Sequence, residues 1–290
     1  MTWVQVGLSQ LDVAALYVLM GIGFVTIYRS TRVINFAQGT LGLISGYIFY
    51  SISSSLGWNF AINIVLALLF SFAMGVVTYW LLLERLIGLE PVFLLMLPIA
   101  LDVILGALAL IIWGPSTYFL PSPFHGAIQL PGSLSIGTPE LAIVVATAAV
   151  VAAYGLAMRR SRAGLQMQAV AENPLLASYS GIRVRGVAAA AWGLGTMGSA
   201  LAGIGYGILF GLSPGVGDAI GLVAFPAIVL GGIDSIPGVL IGGLILAELQ
   251  GYSSVLLGGN VSDGIGYILL LGVLAIRPQG LLGSREATRL

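Results

Sequence analysis

Long apolar segments alternate with short polar connectors along nearly the whole chain. Most of these segments approach the roughly 20 residues that a helix needs to cross a bilayer. The pattern predicts an all-α fold, a polytopic transmembrane helical bundle with about eight or nine spans, some of them broken or re-entrant. The predicted spans cover residues 11–28, 35–51, 60–83, 91–113, 140–158, 187–210, 218–230, 239–257 and 262–276.

Two of the predicted spans, 218–230 and 262–276, are short for a bilayer. They can be tilted, broken or re-entrant, so eight crossings with additional half-helices is an open alternative to nine. Glycine-rich interruptions at 29–46 and 226–243 lie in different halves of the chain. Paired interruptions of this kind are typical of internally repeated membrane proteins and of substrate paths, but the two stretches resemble one another only weakly, so the sequence leaves a repeat open.

Arginine occupies only alternate connectors, and the chain has no lysine. Because connectors on the cytoplasmic side of a membrane are enriched in basic residues, the distribution predicts orientation. The N-terminus is expected outside and the C-terminus in the cytoplasm of a multi-pass cell inner (plasma) membrane protein. Connector 114–139, which has no arginine, is expected outside, and connector 159–186, which has five, is expected inside.

Composition supports one membrane domain covering residues 1–290. Hydrophobic residues make up 58% and charged residues 8% of the chain, whereas a soluble domain has about 25% charged residues. The absence of cysteine and the single histidine, His125, predict no metal site and no cofactor. Without lysine the chain cannot form a Walker-type phosphate loop, so no ATPase or other enzymatic activity is expected. A net charge of zero gives no basic surface for nucleic acid.

Connector 159–186 contains local signals for a short surface helix. Asn173 can cap its start, Pro174 suits its first position, and Gly181 can end it in a left-handed conformation. Such a helix can dock into another protein, or it can rest on lipid headgroups beside Arg183 and Arg185. The side chains offered for docking are Leu175, Leu176 and Tyr179.

Intramembrane carboxylates are scarce, and Asp102 and Glu248 are the main examples. Such groups in a span are functional candidates because a charge in lipid is unfavourable. They leave open a stand-alone secondary carrier that uses Asp102 and Glu248. A passive channel or scaffold is a further alternative. A transporter driven from outside the chain would instead need the docking helix.

Several motifs, taken together and in order, resemble the permeases of branched-chain amino-acid-type ABC transporters. The early motif is Val-Ile-Asn-Phe-Ala-Gln-Gly at 33–39, and a charged pair, Glu84-Arg85, ends an early span. The coupling-loop motif is Ala-Val-Ala-Glu-Asn-Pro at 169–174, preceded by 159–164 and followed by Gly181-Ile182. The motif at 230–243 contains Gly-Gly, Ser, Pro and Gly, and Arg-Pro-Gln-Gly-Leu-Leu-Gly forms the tail at 277–283.

The resemblance covers nearly the whole chain and implies the shorter of two permease subunits. It implies pairing with a second, related permease, two cytoplasmic ATPases and an external solute-binding protein, within the lipid bilayer. The solute would be a branched-chain amino acid or a similar small polar molecule. By resemblance, the ATPases would contact Glu172, Asn173, Pro174, Leu175, Leu176, Tyr179 and Gly181.

The broken stretch after Arg32 is the candidate translocation path, because unpaired backbone groups in a membrane are tolerated where they line a cavity. The alternative is a helix start that packs tightly through Gly39. Relatives commonly carry Glu where this chain has Thr40, so a charge near the path is missing. For 231–243 a tight turn is favoured over a binding site, with Asp234 and Ser235 capping the next helix. The path candidates are Asn35, Phe36, Gln38, Gly39, Asp102 and Pro226.

Overall fold

The structure is a computed structural model that describes residues 3–86, 91–131 and 134–283. Helices dominate these residues, and two short antiparallel strands form a hairpin in one connector. A π-helical turn, Tyr79–Leu83, follows α4 directly. The helices are α1 Trp3–Ser9, α2 Leu11–Thr31, α3 Gln38–Leu56, α4 Phe60–Thr78, α5 Glu84–Leu86, α6 Pro91–Trp113, α7 Thr138–Arg160, α8 Arg162–Glu172, α9 Pro174–Tyr179, α10 Val184–Leu209, α11 Val216–Gly231, α12 Ile236–Leu257 and α13 Gly259–Ile276, and the strands are β1 Ala127–Leu130 and β2 Leu134–Gly137.

Each of the nine segments predicted to span the membrane coincides with a helix, which confirms a polytopic helical membrane protein. Among the described residues, six helical stretches are both long and apolar enough to cross a bilayer. Nine spans would require that α3, α11 and α13 all cross as well, and eight would require that two of them do. The six stretches are Trp3–Thr31, Phe60–Leu83, Val92–Trp113, Thr138–Arg160, Val184–Leu209 and Ile236–Leu257.

Two long helices, α2 and α10, form the centre of the bundle. Both are mostly buried, and α10 packs against α2, α3 and α4. Glycine makes this close packing possible: a side chain at Gly195 would overlap the backbone of Gly23 on α2, and one at Gly203 would overlap Gly42 on α3. Small residues let helix backbones approach closely in lipid, where packing rather than water exclusion drives association. In contrast, few residues of α4, α6 and α7 are buried, as expected beside lipid.

The two ends of the bundle differ in charge. At one end, Arg185 forms a 3.0 Å ion pair with Glu84, and Arg29 bonds to the turn after α11. The other arginine-bearing connectors adjoin these contacts: Met158 and Met167, on either side of 159–162, pack with Val187 of α10, and the tail that follows Arg277 bonds to the end of α11. At the opposite end, Gln5 bonds to Ser135 of the hairpin. The separation of charge predicted from the sequence is therefore present among the described residues, while Arg285 and Arg289 lie outside them.

Candidate translocation path and coupling helix

Helix α3 begins inside the bundle rather than at its end. The side-chain amide nitrogen Nε2 of Gln38 donates a 2.9 Å hydrogen bond to the backbone carbonyl of Gly195. Gly195 lies 11 residues after the first residue of α10, roughly 16 Å along the helix axis. The chain leaves α2 at Arg32, whose φ of 57° is left-handed, and residues 33–35 run inward without helical structure. The predicted interruption of this span is therefore observed.

The interruption is stabilised by a local polar network. Asn35 donates to the side-chain oxygen of Gln38 at 2.8 Å and accepts from the amide of Ala37 at 3.2 Å. Asn35 is 1% exposed and Gln38 is fully buried. Buried amides are unfavourable unless they are paired, and these are paired within the turn and with α10. In this conformation the two side chains hold the start of α3 in place.

Gly39 is a point of contact between two backbones. A Cβ atom at this position would overlap the carbonyl oxygen of Gly217 and lie 2.7 Å from the amide nitrogen of Gly221. Helix α11 thus begins against the start of α3, at the same depth in the bundle. The segment before α11 reaches this depth from the opposite end, where Leu212 and Tyr118 exchange two backbone hydrogen bonds.

Thr40, the next residue, joins α3 to α6. Its hydroxyl donates a short hydrogen bond of 2.5 Å to the carboxylate of Asp102. Asp102 is 11 residues from each end of α6, which spans Pro91–Trp113. A carboxylate is therefore present beside Thr40 after all, supplied from a helix 62 residues later in the chain. The sequence alone did not indicate this pairing.

The other two path candidates, Phe36 just before α3 and Pro226 of α11, lie close together because Phe36 packs against α11. The ring centroid of Phe36 lies 5.7 Å from that of Phe225, and the neighbouring Pro226 is buried within α11. The structure thus places all six path candidates at the start of α3 or on α6 and α11, two of the helices that contact it. Their contact with a solute stays a prediction.

A cavity of about 110 Å³ lies elsewhere, between α2, α4, α7, α10 and the connector at 114–139. Its lining is almost entirely apolar and includes Leu19, Phe60 and Ile143. None of the six path candidates lines it. An apolar lining does not provide the polar groups that orient a polar solute.

The predicted surface helix is present as α9. The side chain of Asn173 accepts hydrogen bonds from the amides of Leu175 and Leu176 at 3.1 and 3.0 Å. Pro174 occupies the first helical position, and Gly181 has a φ of 80°. Glu172 and Pro174 are exposed, and the apolar side chains predicted to dock are also exposed: Leu175 61%, Leu176 60% and Tyr179 78%.

A second connector helix, α8, was not predicted. Ser161 caps it by accepting a 2.9 Å hydrogen bond from the amide of Gly164. Val170 of α8 and Ala177 of α9 are buried in one cluster with Val187 of α10, so the two short helices form a unit fixed to the bundle. The signal that could have revealed α8 is the serine directly before 162–172, since serine is a favoured N-cap.

The turn between α11 and α12 is closed by the tail. Ser235 caps α12 as predicted, accepting from the amide of Gly238 at 3.1 Å. The tail contact was not predicted: the amides of Leu281 and Leu282 donate to the carbonyls of Leu230 and Gly231 at 2.8 and 3.0 Å. These bonds pair carbonyl groups that a helix leaves free at its C-terminus.

The second intramembrane carboxylate lies apart from this region. Glu248 of α12 is next to Gly7 of α1, and α1 packs on strand β2 of the connector at 114–139. Asp102, in contrast, is at the start of α3. The two acids that a stand-alone carrier was expected to use thus belong to different parts of the bundle.

Comparison with known proteins identifies similar sequences. The sequence model of a family described as branched-chain amino acid transport system, permease component, matches residues 8–274. The high-affinity branched-chain amino acid transport system permease protein LivH of Escherichia coli is 31% identical, over 94% of this chain and 93% of the relative. The corresponding protein BraD of Pseudomonas aeruginosa is 28% identical over 99% and 98%. A probable LivH of Methanocaldococcus jannaschii is 27% identical over 92% and 89%. No solved structure matches the chain.

Proposed function

Because the chain belongs to the family of branched-chain amino acid transport permease components, we propose that it forms half of the solute path in an ATP-driven importer, beside a second permease. The chain is a transport subunit of the ABC class and not an enzyme, and ATP is hydrolysed on separate chains. The family assignment supports this function over a stand-alone carrier. The proposed solute is a branched-chain amino acid or a similar small polar molecule delivered by an external binding protein.

The observation that carries the energy-coupling part of this proposal is the exposed apolar face of α9. Leu175, Leu176 and Tyr179 are each at least 60% exposed, on a helix with a capped start and a glycine end. Apolar residues grouped on a rigid surface helix are typical of protein-docking elements. We assign this face to a groove of the ATPase, with Glu172, Asn173, Pro174 and Gly181 supporting its geometry. Two ATPases and two permeases would complete the importer.

The proposed orientation places the arginine-bearing end in the cytoplasm. Basic connectors are retained on that side during insertion. The chain would then cross the membrane nine times, with α3 and α11 each beginning within the bundle. The N-terminus would be outside, and the hairpin β1–β2 would face the binding protein.

The proposed path follows the start of α3, where α6 and α11 meet it. Asn35, Phe36, Gln38 and Gly39 belong to the interrupted stretch, Asp102 reaches it from α6, and Pro226 interrupts α11. Interrupted helices that meet near the middle of a membrane are typical of substrate paths in transporters. ATP binding would favour one arrangement of these helices and loaded binding protein the other.

Reconstitution tests the function directly. Proteoliposomes would contain this chain alone or together with the second permease, the two ATPases, internal ATP and the external binding protein, and uptake of labelled L-leucine would be measured. We expect uptake only in the complete set. Uptake by the chain alone under a proton gradient would contradict the proposal and restore the secondary carrier.

A further inference from the structure

The apolar cavity beside α7 has no part in the proposed path. It lies between α2, α4, α7, α10 and the connector at 114–139 and measures about 110 Å³. Of the described residues that line it, Ser122 alone has a polar side chain. The Ser122 hydroxyl already accepts from the amide of Phe124 at 3.1 Å and donates to the carbonyl of Phe124 at 3.4 Å. A buried water needs roughly two to four polar partners, so the cavity does not hold water stably.

The cavity reaches the lipid-facing surface of the bundle. Helix α4 packs on α3 and α10, whereas α7 packs on α2 and α10, so the cavity lies in the gap between α4 and α7. Few residues of these two helices are buried. Val65 and Val145, which adjoin the lining residues Ile64 and Ala146, are 54% and 60% exposed. Ala146 is itself exposed, so the acyl chains of the bilayer core lie next to the opening.

The cavity extends along the helices over the depth of about one leaflet. Its lining residues on α7 run from Pro139 to Val150, which corresponds to about 16 Å along the helix axis. Half of a hydrocarbon core is about 15 Å thick. Phe60, the first residue of α4, also lines the cavity, and Trp58 just before it is of the type enriched at the membrane–water interface. The cavity thus begins near the interface and runs toward the middle of the membrane, as an acyl chain does.

We propose that the cavity binds one acyl chain of a membrane phospholipid, from the leaflet opposite the arginine-bearing end. Ile208, near the end of α10, lines the cavity, whereas Arg185 is at the start of that helix. An empty cavity deprives the surrounding side chains of dispersion contacts, and an acyl chain that enters between α4 and α7 restores them. Because helices in lipid associate through packing, the bound chain joins α7 to α4 and α10. This site is additional to the transport function and does not depend on the solute.

A photoactivatable phospholipid tests the site. The purified full chain is reconstituted in vesicles of phosphatidylethanolamine that contain a phospholipid with a diazirine midway along one acyl chain. After illumination, the labelled residues are identified by mass spectrometry. Leu19 and Ile204 line the cavity and are each 3% exposed, so lipid at the surface of the bundle does not reach them. Val103 on α6 is 67% exposed and reports labelling by the surrounding lipid.

Two variants fill the cavity. Ala146→Phe should lower the labelling of Leu19 and Ile204 by roughly fivefold or more, because a close-packed interior has no room for both the ring and an acyl chain. Ala142→Leu adds a smaller group to the same lining and should lower the labelling less, with less risk to folding. Ala148→Phe is the matched control, because Ala148 is exposed on α7 but does not line the cavity. Its cavity residues should be labelled as in the wild type.

Labelling of Val103 without labelling of Leu19 or Ile204 in the wild type would overturn the proposal. Cavity labels that both filling variants leave unchanged, or that the control loses equally, would also overturn it. A further arm adds the second permease to the vesicles. Unchanged labels support a lipid site, whereas labels that disappear would mean that the partner covers the gap, and the lipid site would be rejected.

Discussion

The guanidinium Nε of Arg29 donates a 2.7 Å hydrogen bond to the backbone carbonyl of Asp234. The bond joins the end of α2 to the turn between α11 and α12, 205 residues apart in the chain. The tail bonds to the two residues, Leu230 and Gly231, that lead into the same turn. Three separate parts of the chain are therefore connected at the C-terminal end of α11, the helix whose N-terminal end meets α3.

The first prediction concerns Gly280 in the tail. Its φ is 78° and a Cβ atom would lie 2.5 Å from the carbonyl oxygen of Val229, so Gly280→Ala should strain the backbone and separate the tail from α11. We expect a loss of roughly 1–3 kcal/mol in the free energy of unfolding. Denaturant unfolding of the purified chain in detergent measures it. Gly272→Ala is the control, because nothing lies near a Cβ there; a variant as stable as this control would contradict the strain.

The second prediction concerns the contact between α3 and α11. Gly39→Ala should destabilise the fold, because the added methyl group would overlap the Gly217 carbonyl, and overpacking of a tight contact costs about 1–3 kcal/mol. Thermal unfolding in detergent, followed by the yield of assembled importer, measures the effect. Gly106→Ala on α6 should be close to neutral, since its surroundings are open. Equal melting temperatures for the two variants would contradict the prediction, because they would show that α11 can move away from α3 without loss of stability.

The third prediction concerns α9. Glu172→Arg combined with Leu176→Asp should uncouple ATP hydrolysis from transport or release the ATPases. Both side chains are exposed on the proposed docking surface, so the new charges would lie directly in the contact with the ATPase. Bound ATPase, hydrolysis stimulated by the binding protein, and uptake are measured together. The control introduces the same two residue types, Arg and Asp, at exposed positions of α8: Gln166→Arg with Leu165→Asp, where Leu165 is 54% exposed. If the α9 variant is normal in all three assays, the helix rests on lipid instead.

The fourth prediction concerns orientation. The chain has no cysteine, so Ser116→Cys and Ser178→Cys each introduce a single thiol at an exposed position. An impermeant thiol reagent added to intact cells should label the first and spare the second. Labelling in permeabilised cells controls for reactivity. The reverse pattern in intact cells would mean that the arginine-bearing end is outside.

The sequence predicted those parts of the structure that depend on neighbouring residues. The long apolar run at 91–113 becomes α6, with the same bounds. Asn173, Pro174 and Gly181 each specify a local backbone geometry, and all three adopt it in α9. The weaker signal for α8 was missed because residues 162–172 mix small, polar and apolar side chains and lie between stronger features.

Contacts between distant residues could not be predicted in the same way. Nothing near Thr40 indicates that its partner is Asp102, since the pairing depends on how α6 packs on α3. Arg29 bonds to a backbone carbonyl, an acceptor that every residue provides and that no side chain reveals. The candidate site could therefore be located on α3 from its interruption, and Asp102 could be named as a path candidate, but the contact between Asp102 and Thr40 depends on the arrangement of the helices in space.

The seam between Gly39 on α3 and Gly217 and Gly221 on α11 has a mechanical consequence. Helices that pack through large interdigitated side chains must separate before they can slide past one another, because each side chain has to leave the space between its neighbours on the facing helix. Where Gly39 meets Gly217 and Gly221, backbone packs against backbone without interlocking side chains. A shift of α11 by a fraction of a turn therefore disrupts little side-chain packing at this contact. Small sliding movements between packed helices are one of the ways in which proteins close and open around a ligand. Glycine at this contact therefore has two consequences. The helices approach too closely for any side chain to fit between them, and α11 can slide along α3 without side chains that block the movement.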